Sequence, residues 1–73
     1  MQSEVFERLT PREREVVSLV LEGNFNHVIA KKLCISIKTV DAHKANIYKK
    51  LDVHSSTQLT ILVYKNEQSM QTL

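Results

Sequence analysis

The side chains best suited to holding a metal ion in this sequence are His27, His43, His54 and Cys34. Their spacing does not suit the task, since neither a Cys-x-x-Cys nor a close pair of histidines occurs. Cys34 reads as a small turn residue, with a redox-sensing thiol as the alternative. Serine, histidine and aspartate are present without an arrangement that would activate a nucleophile. Thr10 and Glu13 stand three apart, the spacing of a helix cap and not of an acid–base pair. No catalytic residue, metal or cofactor is implied, and the chain is not expected to be an enzyme. A different chemistry is suggested by Lys38, Ala42, Ala45 and Lys49, with Asp41 and Asn46 beside them. Lysines neutralise phosphates. Alanines allow close approach to base edges, where a methyl can touch a thymine methyl, and an aspartate can accept a hydrogen bond from cytosine N4.

For those residues to act together they must share one face of a helix. Ser36 is a suitable N-cap, and the helix it opens is expected over 37–51. At about 100° per residue, Val40, Ile47 and Leu51 point one way and Lys38, Ala42, Ala45 and Lys49 the other. The inward face needs partners. Thr10-Pro11-Arg12-Glu13 combines a capping hydroxyl, a proline at the first helical position and a capping-box glutamate. A helix over 11–22 follows, with Val16, Val17, Val20 and Leu21 apolar, and Gly23 stops it. Asn26 is expected to cap a short helix over 27–33, with Val28, Ile29 and Leu33 apolar. Ser55 or Ser56 caps a last helix over 56–66. Residues 1–8 read as a tail or the end of a linker, 9–66 as the folded domain and 67–73 as a flexible polar tail. The fold class is therefore all-α with four helices. The turn between the second and third helices is about three residues long, which makes them a helix-turn-helix, the unit whose second helix enters the major groove.

Bulk properties agree. A chain of 73 residues is one domain with a modest core. One glycine and one proline are too few for a hairpin-rich β fold. No apolar run approaches a membrane span, the N-terminus lacks the order of a signal peptide, and a single cysteine fits a reducing cytoplasm. Residues 1–22 carry three arginines against five glutamates, whereas 23–73 carry seven lysines against three acids. The positive field thus lies with the groove-reading helix, and a polyanion is the natural partner.

The residues also carry a resemblance. Leu9-Thr10-Pro11-Arg12-Glu13-Arg14-Glu15-Val16-Val17 resembles the opening of the LuxR/FixJ-type (NarL-like) helix-turn-helix domain. Gly23, Asn26, Ile29-Ala30, Leu33, Ile35-Ser36, Lys38-Thr39-Val40, His43, Ile47, Lys50-Leu51 and Val53 continue the match in order over about 9–64. The resemblance implies a four-helix domain that binds double-stranded DNA and regulates bacterial transcription, usually as a dimer, with RNA polymerase as a further partner. It implies base-facing roles for Asp41, Ala42 and Ala45, joined on the same strip by Asn46 and Lys49. Backbone-facing roles fall to Asn26, Lys38, Thr39 and Lys44. Three positions depart from the family pattern. Cys34 and Asp52 stand where glycine is usual, so a less favoured backbone geometry is expected at Cys34, while aspartate tolerates its position better than most residues. Val28 replaces a common glutamate.

The last helix is apolar over much of its surface. Leu59, Leu62 and Val63 can serve the core, which leaves Ile61, with Tyr64, for a dimer contact. His43 is expected at the edge of the core, and core or edge packing is expected for Phe25 and Tyr48. The alternative reading keeps the fold but makes the chain a protein-interaction module with weak DNA binding, which Asp41 and the net charge of +2 favour.

Overall fold

The computed structural model describes residues 4–71, and the side chains of residues 6–66. It contains α1 (Glu4–Glu7), α2 (Pro11–Leu21), α3 (Asn26–Leu33), α4 (Ile37–Leu51) and α5 (Ser56–Gln71), and no strand among the described residues. The four long helices are those expected from the sequence, and α4 has the expected bounds.

Caps set most of the boundaries. The Thr10 hydroxyl accepts from the Glu13 N–H and the Glu13 carboxylate accepts from the Thr10 N–H, at 3.1 and 3.0 Å, closing the capping box of α2. The Ser36 Oγ accepts from the Thr39 N–H at 3.0 Å and caps α4. Ser55 caps α5 by accepting from the Gln58 N–H at 3.1 Å. Gly23 adopts φ +89° after α2, as its place at the helix stop requires. Cys34 and Asp52 end α3 and α4 in the left-handed conformation, at φ 58°, ψ 44° and φ 56°, ψ 48°. Both ends close by the same pattern. The Ile35 N–H reaches back to the Ala30 carbonyl at 2.9 Å, and the Val53 N–H to the Tyr48 carbonyl at 3.0 Å.

Three expectations need correction. The described part of the expected tail over 1–8 is not plain. Residues 4–7 form α1, and Phe6 packs against the core beside Leu9. The Phe6 carbonyl accepts from the Leu9 N–H at 3.1 Å and from Arg14 Nε at 2.8 Å, which fixes this turn where no sequence period signals it. The last helix does not stop at 66, since the backbone is helical to Gln71. No glycine or proline follows Ser56 to end it. Residues 1–3 and 72–73 of the two expected tails lie outside the described residues. Finally, Asn26 does not cap α3. Phe25 is the capping residue, without a side-chain bond, and Asn26 is the first helical residue.

The buried side chains form two connected groups. Val16 and Val17 of α2 pack with Ile47 and Leu51 of α4 and Leu59 and Val63 of α5, closed by Leu9. Ile29 and Ala30 of α3 pack on Val40 of α4, with Leu19, Val20, Leu33 and Ile35 around them. Each fully buried aliphatic side chain contributes roughly 1.5–3 kcal/mol. α4 places one apolar residue in the second group and two in the first, so its orientation is fixed along its length. Leu59 and Val63 are buried and Leu62 packs against them, as expected.

One polar side chain is buried with them. Glu13 is 4% exposed, and its carboxylate takes the Lys50 ammonium at 2.7 Å in addition to the Thr10 N–H. Burial pushes this carboxyl up, but the bonds from Lys50 and Thr10 outweigh that and hold it below its ordinary value of 4.5. The pair ties the start of α2 to the end of α4. Arg8 Nη1 adds a bond to the Lys50 carbonyl at 3.4 Å.

Candidate nucleic-acid interface

α4 has a face to spare. Val40, Ile47 and Leu51 are buried, while Lys38, Thr39, Asp41, Ala42, Ala45, Asn46 and Lys49 are all exposed. The period of the helix separates the two sets. Lys38 stands near the start of this strip and Lys49 in its last turn, with the alanines between. Lys49 and Lys50 also lie where the helix dipole is negative, which favours cations there. Ile37 is a large apolar side chain exposed at the first position of the helix.

Asn26, Asp41 and Lys44 are brought together, which their separation in the sequence does not announce. Asn26 Nδ2 donates to Asp41 Oδ1 at 2.9 Å, and Lys44 Nζ donates to Asn26 Oδ1 at 2.9 Å. Asn26 and Lys44 are half-buried and Asp41 is exposed. Asn26 thus bridges two residues of α4 from the first turn of α3. Lys44 also stands on the wall of a cleft of about 510 Å³ lined in part by Asn24, Ser56 and Thr60. Thr39 is drawn towards its own cap, with its hydroxyl 2.9 Å from that of Ser36.

Ile61 and Tyr64, on α5, are 47% and 61% exposed. They stand three apart on α5, so they are neighbours on one face of that helix. His43 and Tyr48 are half-buried, Tyr48 against the core, as expected. Phe25 departs from the expected core or edge packing. It is 73% exposed, and its ring stacks on His27 with centroids 6.0 Å apart. It follows the stop at Gly23 on a turn that points away from the core. Among the described residues no group of histidine, cysteine or acidic side chains could hold a metal ion, and no helix is long and apolar enough to cross a membrane.

A helix-turn-helix whose second helix presents an uncovered strip of lysines and small residues defines a class, the DNA-binding domain of a transcription regulator. Comparison with known proteins names the family. The profile described as "Bacterial regulatory proteins, luxR family" matches residues 7–63, and the chain belongs to that family. This is a family of DNA-binding transcription regulators and not of enzymes. The chain is similar to the transcriptional regulatory protein LiaR of Bacillus subtilis, at 45% identity over 60 residues, covering 82% of this chain and 28% of LiaR. It is also similar to the response regulator protein VraR of Staphylococcus aureus, at 40% identity over 65 residues, covering 89% of this chain and 31% of VraR. A solved structure of the response regulator StyR aligns with a TM-score of 0.79 and 42% identity, over 85% of this chain and 31% of that one. The chain therefore spans about a third or less of the length of these relatives.

Proposed function

We propose that this domain, residues 9–66, binds double-stranded DNA in a sequence-specific way by inserting α4 into the major groove, and does so as a homodimer. The observation that carries the reading is the outward face of α4. Six residues that suit a groove, Lys38, Asp41, Ala42, Ala45, Asn46 and Lys49, are exposed together on a helix anchored by Val40, Ile47 and Leu51. In this reading Asp41, Ala42, Ala45, Asn46 and Lys49 face bases. Lys38 and Thr39 meet the phosphate backbone at one wall, and Asn26 and Lys44 at the other. Lys44 has two ammonium hydrogens left after its bond to Asn26, and Asn26 has one amide hydrogen left.

Ile61 and Tyr64 are assigned to the contact between the two copies, which would set the spacing of two half-sites about one helical turn of DNA apart. What supports this is their exposure as an apolar pair on a helix whose other described apolar residues, Leu59, Leu62 and Val63, serve the core. Regulation by contact with RNA polymerase belongs to the same proposal.

The test is titration of the domain against duplex DNA at two salt concentrations, with Lys38→Glu and Ile61→Asp beside it. Lys38→Glu should abolish binding and leave self-association intact. Ile61→Asp should abolish self-association and leave weak binding to a single half-site. Binding that survives Lys38→Glu unchanged would refute the groove assignment. The reading as an interaction module would then be favoured if regulation is lost with Ile61→Asp alone.

A further inference from the structure

If α4 reads the groove as proposed, the way Asp41 is held bears on base choice. A carboxylate on a DNA-facing strip is repelled by phosphates, and it helps only if it is aimed at a base that donates to it. Asp41 is exposed, and an unrestrained exposed side chain samples several rotamers. Here it is not unrestrained. Asn26 Nδ2 donates to Asp41 Oδ1 at 2.9 Å, and the other end of the same amide, Oδ1, accepts from Lys44 Nζ at 2.9 Å. Asp41 and Lys44 stand three apart on α4, on adjacent positions of one face. Only a side chain with a donor at one end and an acceptor at the other can sit between an anion and a cation in this way, and an amide is such a group.

The bridge comes from outside α4. Asn26 is the first residue of α3, and Phe25 occupies the cap position, so the Asn26 side chain is not spent on capping its own helix. The groups below it fix the distance between the two helices, since Ile29 and Ala30 of α3 pack on Val40 of α4.

We infer that Asn26 is a specificity-positioning residue: it holds the Asp41 carboxylate in one orientation, and Lys44 with it, before DNA is met. One Asp41 oxygen stays free of Asn26 and can accept from a base donor such as cytosine N4. Lys44 is held beside it, where its remaining hydrogens can reach a phosphate. Asn26 thus acts on base choice through Asp41, beyond any phosphate contact of its own.

The test has two arms. In the first, sequences bound by the wild-type domain are selected from random duplex DNA, and the base position whose preference changes in Asp41→Ala is identified. Asn26→Ala and Asn26→Asp are then measured at that position. Both should weaken the preference about fivefold, the lower end of what one good base contact supplies, with melting temperatures close to wild type. A uniform loss of affinity for all sequences, with the preference unchanged, would overturn the inference and leave Asn26 a phosphate contact only. In the second arm, three-bond couplings report the Asp41 χ1 rotamer in the free domain. One rotamer in wild type and averaging in Asn26→Ala are expected. Averaging already in wild type would overturn the positioning claim, whatever the DNA does. A wild-type domain that selects no sequence would defeat the groove reading itself, and the coupling arm would still decide whether Asn26 fixes Asp41.

Discussion

Cys34 occupies a backbone conformation that glycine would adopt at no steric cost, so Cys34→Gly should stabilise the domain. The residue has φ 58° and ψ 44°, in the left-handed region. There a β-carbon crowds the following carbonyl and costs roughly 1–2 kcal/mol. Glycine removes that cost but gives the unfolded chain more freedom, which opposes the gain by about 0.4–1 kcal/mol. The thiol side chain is exposed and belongs to neither buried group, so little packing is lost. The net gain is about 0.5–1 kcal/mol. For a domain of this size, 1 kcal/mol moves Tm by roughly 4–8 °C, so a rise of about 2–8 °C is expected. Circular dichroism melts and urea titrations of reduced protein would measure it. Cys34→Val provides the opposite sign, because a branched β-carbon fits this conformation worse than cysteine does. If glycine lowers Tm, or if valine raises it, the strain argument is wrong. Asp52→Gly should gain less, since aspartate tolerates the left-handed region better.

Other expectations follow from the same structure. Glu13 has a folded-state pKa below its ordinary 4.5, so its contribution to stability is full above about pH 4.5 and is lost as pH falls through the lower folded value. Glu13→Gln should cost about 1 kcal/mol at pH 7 in urea unfolding, the Lys50 bond being part-exposed, and the cost should shrink as pH is lowered below 4.5. Ile47→Ala leaves a cavity where α4 meets the core and should cost about 2–5 kcal/mol by the same assay. Lys38→Ala should weaken binding by a similar factor on all sequences and reduce the slope of log affinity against log salt by about one, whereas Ala45→Leu should change base preference with little change in that slope.

Local signals in the sequence were strong and largely sufficient for the helices. Thr10, Ser36 and Ser55 are caps whose partners lie three residues on, so the chemistry is visible in a short window. The left-handed turns at Cys34 and Asp52 are legible only through the family resemblance, in which glycine stands at both positions. Asn26 reads as a cap because capping propensity is a local rule, whereas in the fold its side chain bonds Asp41 and Lys44 of α4. The Glu13–Lys50 pair links residues 37 apart, and nothing in either segment announces the other. α1 was invisible because a single turn has no period, and its contact is the packing of Phe6. The outward strip of α4 is legible as a face, because its period alone separates it from Val40, Ile47 and Leu51. Its internal wiring through Asn26 could not be read, because it depends on how α3 crosses α4.

Selection of bound sequences from random duplex DNA, followed by titration of the enriched sequence at two salt concentrations, tests the central claim most directly. An enriched two-fold-symmetric motif, with affinity falling steeply as salt rises, is the predicted result for a dimer that reads the groove through α4. Absence of any enriched motif, with only weak binding at low salt, would contradict it.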